Sequence, residues 1–262
     1  MLHAFGVKNY YNLNMAAPVV LQKGVSFIYG ICGSGKTNLC RALGDIIEFC
    51  PDSRGKKSPR FYYHFSSQGF DLIYEYDRDH RGQVGHASVV IPQFGFSFQC
   101  ADVLYEAMDI FRVCRTYEKR TAVYNVICMF EEYLFREFRV IIPECKAALQ
   151  ENLYKDVLKT KEIDIEKMIM KEPENMTLIV DDLEYNGMLN PEMLIDAILS
   201  FRHQAIVAVR KSKWINDIYG NLGQYYFMKN GNLLPASDCL EKELRSVEQL
   251  KNLFVKGYFD EE

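Results

Sequence analysis

The sequence predicts an α/β fold of the P-loop NTPase kind, a mixed sheet joined by an antiparallel β meander and a helical insertion. Three observations predict it. Gly30-Ile31-Cys32-Gly33-Ser34-Gly35-Lys36-Thr37 fits the phosphate-loop pattern G-x-x-x-x-G-K-[ST]. The apolar run 25–29 leads into that loop, and the helix-like spacing of Leu39, Ala42, Leu43, Ile46 and Ile47 leads out of it. Much further along, Met176-Thr177-Leu178-Ile179-Val180 runs into Asp181-Asp182-Leu183-Glu184, a buried type of strand that ends in acids.

The loop spacing has a physical purpose. Gly30, Gly33 and Gly35 let the backbone take positive φ or approach an anion closely. The N–H groups from Gly30 through Ile31, Cys32, Gly33, Ser34 and Gly35 to Lys36, Thr37 and Asn38 then surround phosphate at the positive end of the next helix. Lys36 is expected to reach the β- and γ-phosphates, and the Thr37 hydroxyl to help coordinate Mg²⁺. If the acid-ended run is a strand parallel to the one before the loop, its carboxyl end brings Asp181 to the same Mg²⁺. Asp182 would then face the terminal phosphate and position or deprotonate a water. The expected catalytic groups are therefore Lys36 and Asp182, and the expected metal ligands Thr37 and Asp181.

Taken in order, residues 1–10, 18–21 and 25–29 read as strands, the last feeding the loop. After the first helix, 51–59 is polar and rich in turn formers. Residues 60–66, 70–76 and 86–91 alternate as strands, with Gln68-Gly69 and 77–85 between them, and make the meander. Their aromatic residues (Phe61, Tyr62, Tyr63, Phe65, Phe70, Tyr74, Tyr76) read as a packed sheet face, because no basic residues interleave as in a base-stacking platform. From 101 to about 171 the period becomes helical. One stripe is Val103, Ala107, Ile110, Phe111 and Cys114, and another is Val126, Met129, Phe130, Tyr133 and Leu134. Pro143 breaks the pattern, and a charged helix follows at 144–170, whose lysines and acids form a solvated face or, more sharply, a partner-docking surface. Pro191 opens a helix, 204–209 and 224–228 are strands, Asn230-Gly231 is a turn, and Leu240, Leu244, Val247, Leu250 and Leu253 mark a last helix. The expected organisation is one P-loop domain over residues 1–262, with a helical subdomain at 101–172 inserted between the phosphate loop and the acid-ended strand.

Whole-chain properties narrow the class. The 262 residues suffice for a full core without staples. A net charge of −4 gives no whole-surface attraction to nucleic acid, leaving only a local basic patch as a route to it. The eight cysteines are scattered without a C-x-x-C pair, so neither a zinc site nor a disulfide framework follows. No basic-plus-apolar leader opens the chain and no 18-residue apolar run occurs, so a cytoplasmic, reducing setting without membrane attachment is expected.

Several stretches in order resemble ABC-like, AAA-type ATPases of abortive-infection and restriction loci, relatives of the overcoming-lysogenisation-defect nucleases and of the Rad50/SMC head. They are Phe5-Gly6-Val7-Lys8-Asn9-Tyr10; residues 30–43; the meander up to Leu104-Tyr105-Glu106; Asp181-Asp182-Leu183-Glu184 with Leu189-Asn190-Pro191; Gln224-Tyr225-Tyr226-Phe227; and 250–259. The resemblance implies an ABC-ATPase-like mixed sheet and an ATP- and Mg²⁺-binding site. It also implies a homo-oligomer or a hetero-complex with an effector protein, plausibly in antiviral defence. Three departures stand out. Asp182 replaces the family's catalytic Glu, one methylene longer, and Arg210-Lys211-Ser212 replaces Thr-His-Ser, leaving Arg210 or Lys211 to contact phosphate. No L-S-x-G signature precedes Met176, which puts a symmetric ATP sandwich in doubt. An ATP-hydrolysing regulatory module is the first reading, with a nucleotide-binding scaffold without turnover beside it. A P-loop phosphotransferase ranks last, since none of Arg112, Arg115, Arg120 or Arg136 stands out as a lid arginine. Adenine is chosen by resemblance; the guanine-reading N-K-x-D is absent.

Overall fold

The computed structural model of the protein describes residues 1–30, 32–44, 58–78, 84–100, 116–136, 138–141, 176–183, 191–200, 203–210 and 225–236. In chain order the first elements are β1 (Leu2–Lys8), β2 (Val19–Val20), β3 (Val25–Tyr29), α1 (Lys36–Gly44), β4 (Arg60–Ser67), β5 (Phe70–Arg78), β6 (Val84–Ile91) and β7 (Phe96–Cys100). They are followed by α2 (Tyr117–Arg136), β8 (Phe138–Ile141), β9 (Thr177–Val180), α3 (Pro191–Ser200), β10 (Gln204–Ala208), β11 (Tyr225–Lys229) and β12 (Asn232–Pro235). The strands form two sheets, ordered β2-β1-β4-β5-β6-β7 and β12-β11-β3-β10-β9-β8. This is an α/β architecture in which a mixed sheet carries the phosphate-loop strand and an antiparallel meander lies beside it.

The second sheet carries the site. Val25-Ser26-Phe27-Ile28-Tyr29, Thr177-Leu178-Ile179-Val180 and Gln204-Ala205-Ile206-Val207-Ala208 are buried along their whole length. Continuous apolar runs of this kind suit parallel strands covered on both faces. β10 lies between β3 and β9 and pairs parallel to both, with Val207 opposite Phe27 on one side and Val180 on the other. The carboxyl ends of all three strands therefore lie level, so Gly30, Asp181 and Arg210 emerge on one edge, where ligands of open α/β sheets bind. The strand ending in acids is thus parallel to the phosphate-loop strand, but one strand removed from it.

The first sheet alternates, as an antiparallel sheet with one dry face should. Phe61, Tyr63 and Phe65 of β4 and Leu72, Tyr74 and Tyr76 of β5 are buried. Tyr76 stacks on Phe61 at 4.8 Å and lies parallel to Tyr63 at 6.0 Å, while Phe130 and Tyr133 of α2 close over Phe65. The aromatic residues form a packed face, as their pattern implies, with Tyr62 half-buried on the opposite side. Helix α1 belongs to the same core: Leu39, Cys40, Ala42 and Leu43 are buried in it, and the Tyr63 hydroxyl donates to the Ala42 carbonyl at 2.6 Å.

Three strands depart from the sequence expectation. β7 pairs with β6 after Gly95, whose φ of 53° closes a short 3₁₀ turn that reads locally as the start of a loop. β8 falls inside the stretch expected to be helical and adds the sheet's edge beside β9. Four residues following a long amphipathic helix show no period of their own, so pairing alone makes them a strand. β12 completes a hairpin with β11, and Asn230 and Gly231 have φ of 48° and 73°, both positive as a two-residue hairpin turn of this kind requires. The expected helices at 101–115, 144–170 and 240–253, the charges at 155–171, the loop at 51–57 and the pieces at 189–190, 211–212 and 250–259 lie outside the described residues. Among those described, no helix is long and apolar enough to cross a membrane.

One buried amide joins the two sheets. Gln204 Oε1 accepts from the Leu2 N–H and from the Thr177 hydroxyl, both at 2.9 Å. Its Nε2 donates to the carbonyls of Leu2 at 2.7 Å and Gln22 at 3.2 Å. Tyr133 of α2 joins the cluster through a 2.5 Å contact with the Thr177 hydroxyl. Truncating Gln204 would leave buried backbone groups of β1 without their partner, at about 1–3 kcal/mol for an unsatisfied polar group and more for the space vacated. Gln204→Ala is expected to lower unfolding free energy in urea by about 2–4 kcal/mol. A loss below about 0.5 kcal/mol would show that the amide does not couple the sheets.

Candidate functional site

The site begins where β3 ends. After Tyr29 the chain turns through Gly30 and Cys32 to Gly35, with φ of +87° at Gly33 and +111° at Gly35. Both angles lie in the region that side chains with a Cβ rarely adopt. Leu39 N–H donates to the Gly35 carbonyl at 2.8 Å, so α1 starts directly from the loop. Its first-turn N–H groups have no helical carbonyl behind them, which makes this end a natural anion site. A Cβ on Gly30 would collide with Ser34 Oγ and lie 2.8 Å from the Met228 carbonyl oxygen, so β11 buttresses the loop from behind.

Sequence reasoning missed a second support. Tyr10 and Leu13 exchange backbone hydrogen bonds of 3.2 and 2.8 Å, closing a turn that carries Asn12 to the loop. There Asn12 Nδ2 donates to the Gly33 carbonyl at 3.3 Å, and Asn38 Nδ2 donates to Asn12 Oδ1 at 2.9 Å. The turn is held in place by Asn14, whose N–H donates to the Gly231 carbonyl at 3.0 Å. No sequence motif marks Asn12, because its partner is 21 residues away and is a backbone carbonyl.

A cavity of about 230 Å³ opens between the loop and the strand tips. The loop and α1 contribute Cys32, Gly33, Gly35, Lys36, Thr37 and Asn38, and the strand tips contribute Asp181, Asp182 and Arg210. The structure thus brings the two acids expected from the sequence to the same wall as Lys36 and Thr37. Gly30 and Ser34 do not line the cavity, Ile31 lies outside the described residues, and Arg210 pairs directly with Asp182. The side chain of Lys36 is largely covered, and its ammonium donates to the Gly30 carbonyl. Burial, reinforced by the nearby Arg210 charge and opposed by Asp182 and Asp181, holds the Lys36 pKa below its ordinary value.

Asp181 and Asp182 are almost wholly buried, at 1% and 5% exposure. The Arg210 guanidinium donates to Asp182 Oδ2 at 2.7 Å. Asp182 has φ of +57°, a left-handed conformation that aspartate tolerates better than most residues and that turns the chain sharply after β9. The donor set is specific in its chemistry. Backbone N–H groups and an ammonium suit phosphate oxygens, and a hydroxyl beside a carboxylate suits a hard, oxygen-seeking cation such as Mg²⁺. Among the described residues no group of three or more His, Cys, Asp or Glu could hold a metal alone. Any cation here would complete its shell with water and a ligand's phosphate, as Mg²⁺ usually does.

Fold and site together make a phosphate-loop α/β architecture, with the glycine loop set between a buried parallel strand and a helix. No family model and no curated protein matches the chain. Among solved structures it is similar to the SMC head domain from Thermotoga maritima, at 14% identity over 92% of this chain and 99% of that one, with a TM-score of 0.45. It is also similar to an SMC head bound to the C-winged helix domain of ScpA, at 13% identity over 89% of this chain and 96% of that one, with a TM-score of 0.42.

Asn12→Ala removes one side chain that ties the phosphate loop to its support. Losing a hydrogen bond of about 1 kcal/mol should speed amide exchange at residues 32–36 roughly fivefold, with the global unfolding midpoint little changed. Unchanged exchange would mean that Asn12 is a bystander.

Proposed function

We propose that the chain binds a nucleoside triphosphate with Mg²⁺ in this cavity and hydrolyses its terminal phosphoanhydride slowly. One observation carries the reading. The glycine turn at the start of α1 and two buried acids from a strand two places away in the sheet line a single cavity with Lys36 and Thr37. In this reading the loop amides and Lys36 hold the phosphates, and the Thr37 hydroxyl and Asp181 carboxylate hold the metal. When bound, the metal neutralises charge that develops on the terminal phosphate. Asp182 orients a water or takes its proton, from a carboxylate one methylene shorter than the glutamate that the family resemblance would supply.

ATP is the nucleotide proposed, on the strength of that resemblance. A regulatory role follows if nucleotide occupancy shifts the chain between assembly states, in a homo-oligomer or with an effector protein, through differential contacts to the terminal phosphate. An antiviral setting, a cytoplasmic location and a subdomain over 101–172 that is helical apart from β8 belong to the same proposal. A second reading, a nucleotide-bound scaffold without turnover, is favoured by the pairing of Asp182 with Arg210, which occupies the carboxylate that hydrolysis would need.

Lys36→Ala is expected to weaken Mg²⁺-ATP binding at least about 100-fold, and Asp181→Asn to abolish the dependence of binding on Mg²⁺, both read by titration calorimetry. Phosphate release by the wild type should exceed that of Lys36→Ala and fall about 100-fold in Asp182→Ala. Binding without release above the Lys36→Ala level would leave the scaffold reading standing and remove hydrolysis. Binding equal to that of Lys36→Ala would remove the nucleotide site itself.

A further inference from the structure

We infer that Arg210 is a latch on Asp182, and that a terminal phosphate opens it, so the cavity favours a nucleoside triphosphate over a diphosphate. This rests on the nucleotide reading of the cavity. Three features of the pair point to a latch rather than a structural ion pair.

The first is the unequal burial of the partners. Asp182 is only 5% exposed, whereas the Arg210 side chain is 39% exposed. The carboxylate is dry, and the left-handed backbone of Asp182 fixes where it leaves the chain. The guanidinium is the more open partner, so a change of its contact costs less desolvation than a move of the carboxylate would. An ion pair built for stability would gain little from a partner so open to water.

The second is position. Arg210 and Asp182 line the same cavity as Lys36, and the Arg210 charge is felt at the Lys36 ammonium. Lys36 and Arg210 supply two positive charges to this cavity and Asp181 and Asp182 two negative ones, so its formal charges cancel. A magnesium triphosphate carries net negative charge, and its arrival upsets that balance. A guanidinium cannot answer by losing its proton. It can only change partner.

The third is the chemistry of the exchange. Arg210 now meets Asp182 through Nη2 to Oδ2 at 2.7 Å. A terminal phosphate offers its planar fork three charged oxygens, the better match for a bidentate contact. A diphosphate held by the same loop ends one phosphoryl group earlier and leaves the latch shut. Opening it frees the Asp182 carboxylate at the moment a hydrolysable bond is present. The same contact thereby keeps Asp182 occupied when none is. No bond is made or broken in this step, and only the partner of the guanidinium changes.

The test compares affinities of the full chain for Mg²⁺-ADP and for the Mg²⁺ complex of a non-hydrolysable ATP analogue. The variants are Arg210→Ala, Arg210→Lys, Asp182→Asn and the Arg210→Ala/Asp182→Asn pair, each checked for wild-type-like thermal unfolding. The wild type should prefer the triphosphate, and Arg210→Ala should reduce that preference about tenfold or more, with Arg210→Lys between. Asp182→Asn should tighten triphosphate binding several-fold with little change for the diphosphate, and this gain should vanish in the Arg210→Ala background. Because the readout is a ratio, a general loosening of the site does not imitate it. A ratio within about twofold of wild type in Arg210→Ala, or an equal effect of Asp182→Asn on both nucleotides, would overturn the latch. Wild-type protein that binds neither nucleotide better than Lys36→Ala would instead overturn the reading of the cavity, and the latch with it.

Discussion

The parallel pairing of β10 with both β3 and β9 is the constraint on which the rest depends. It sets two strands that are 148 or more residues apart in the chain into one register, as Phe27 opposite Val207 and Val207 opposite Val180 show. A slip of one residue on either side would turn every side chain of that strand to the opposite face. It would also carry the acids after Val180 out of level with the loop after Tyr29. The ends of β10 have separate roles. At its start Gln204 binds the sheets together, and just beyond its end Arg210 meets Asp182.

From that register follows a division of labour between the two sheets. The three central parallel strands of the mixed sheet are buried along their whole length, so the side chains at their carboxyl ends leave from well-packed backbone. The antiparallel sheet supplies hydrophobic mass, an aromatic face on which α1 and α2 are packed. It also sends Asn12, from the turn after its first strand, back to the phosphate loop. Rigid strands with loops at their carboxyl ends are what positions a site with little freedom, since burial of backbone polar groups in a ladder leaves few alternative arrangements.

The charges at this edge are arranged in opposition. Lys36 is covered enough to lose part of its preference for the charged form, while both acids beside it are buried as well. Buried charges of this kind are weak evidence of stabilisation, because the cost of removing them from water offsets much of their attraction.

Much was legible in the sequence for a local reason. The glycines, Lys36 and Thr37 lie within eight residues and fix their own geometry, and the apolar runs 25–29, 177–180 and 204–208 declare themselves buried strands by having no polar face. The alternation of β4 and β5 likewise foretold a sheet with one aromatic face. What the sequence could not contain is whatever depends on partners distant in the chain. β8 is a strand because β9 lies beside it, and β12 because the hairpin returns onto β11. Asn12 matters because a turn delivers it to Gly33, and Gln204 because Leu2 crosses its path. Tertiary structure alone set Arg210 against Asp182, since a polar contact across 28 residues leaves no period or motif behind it.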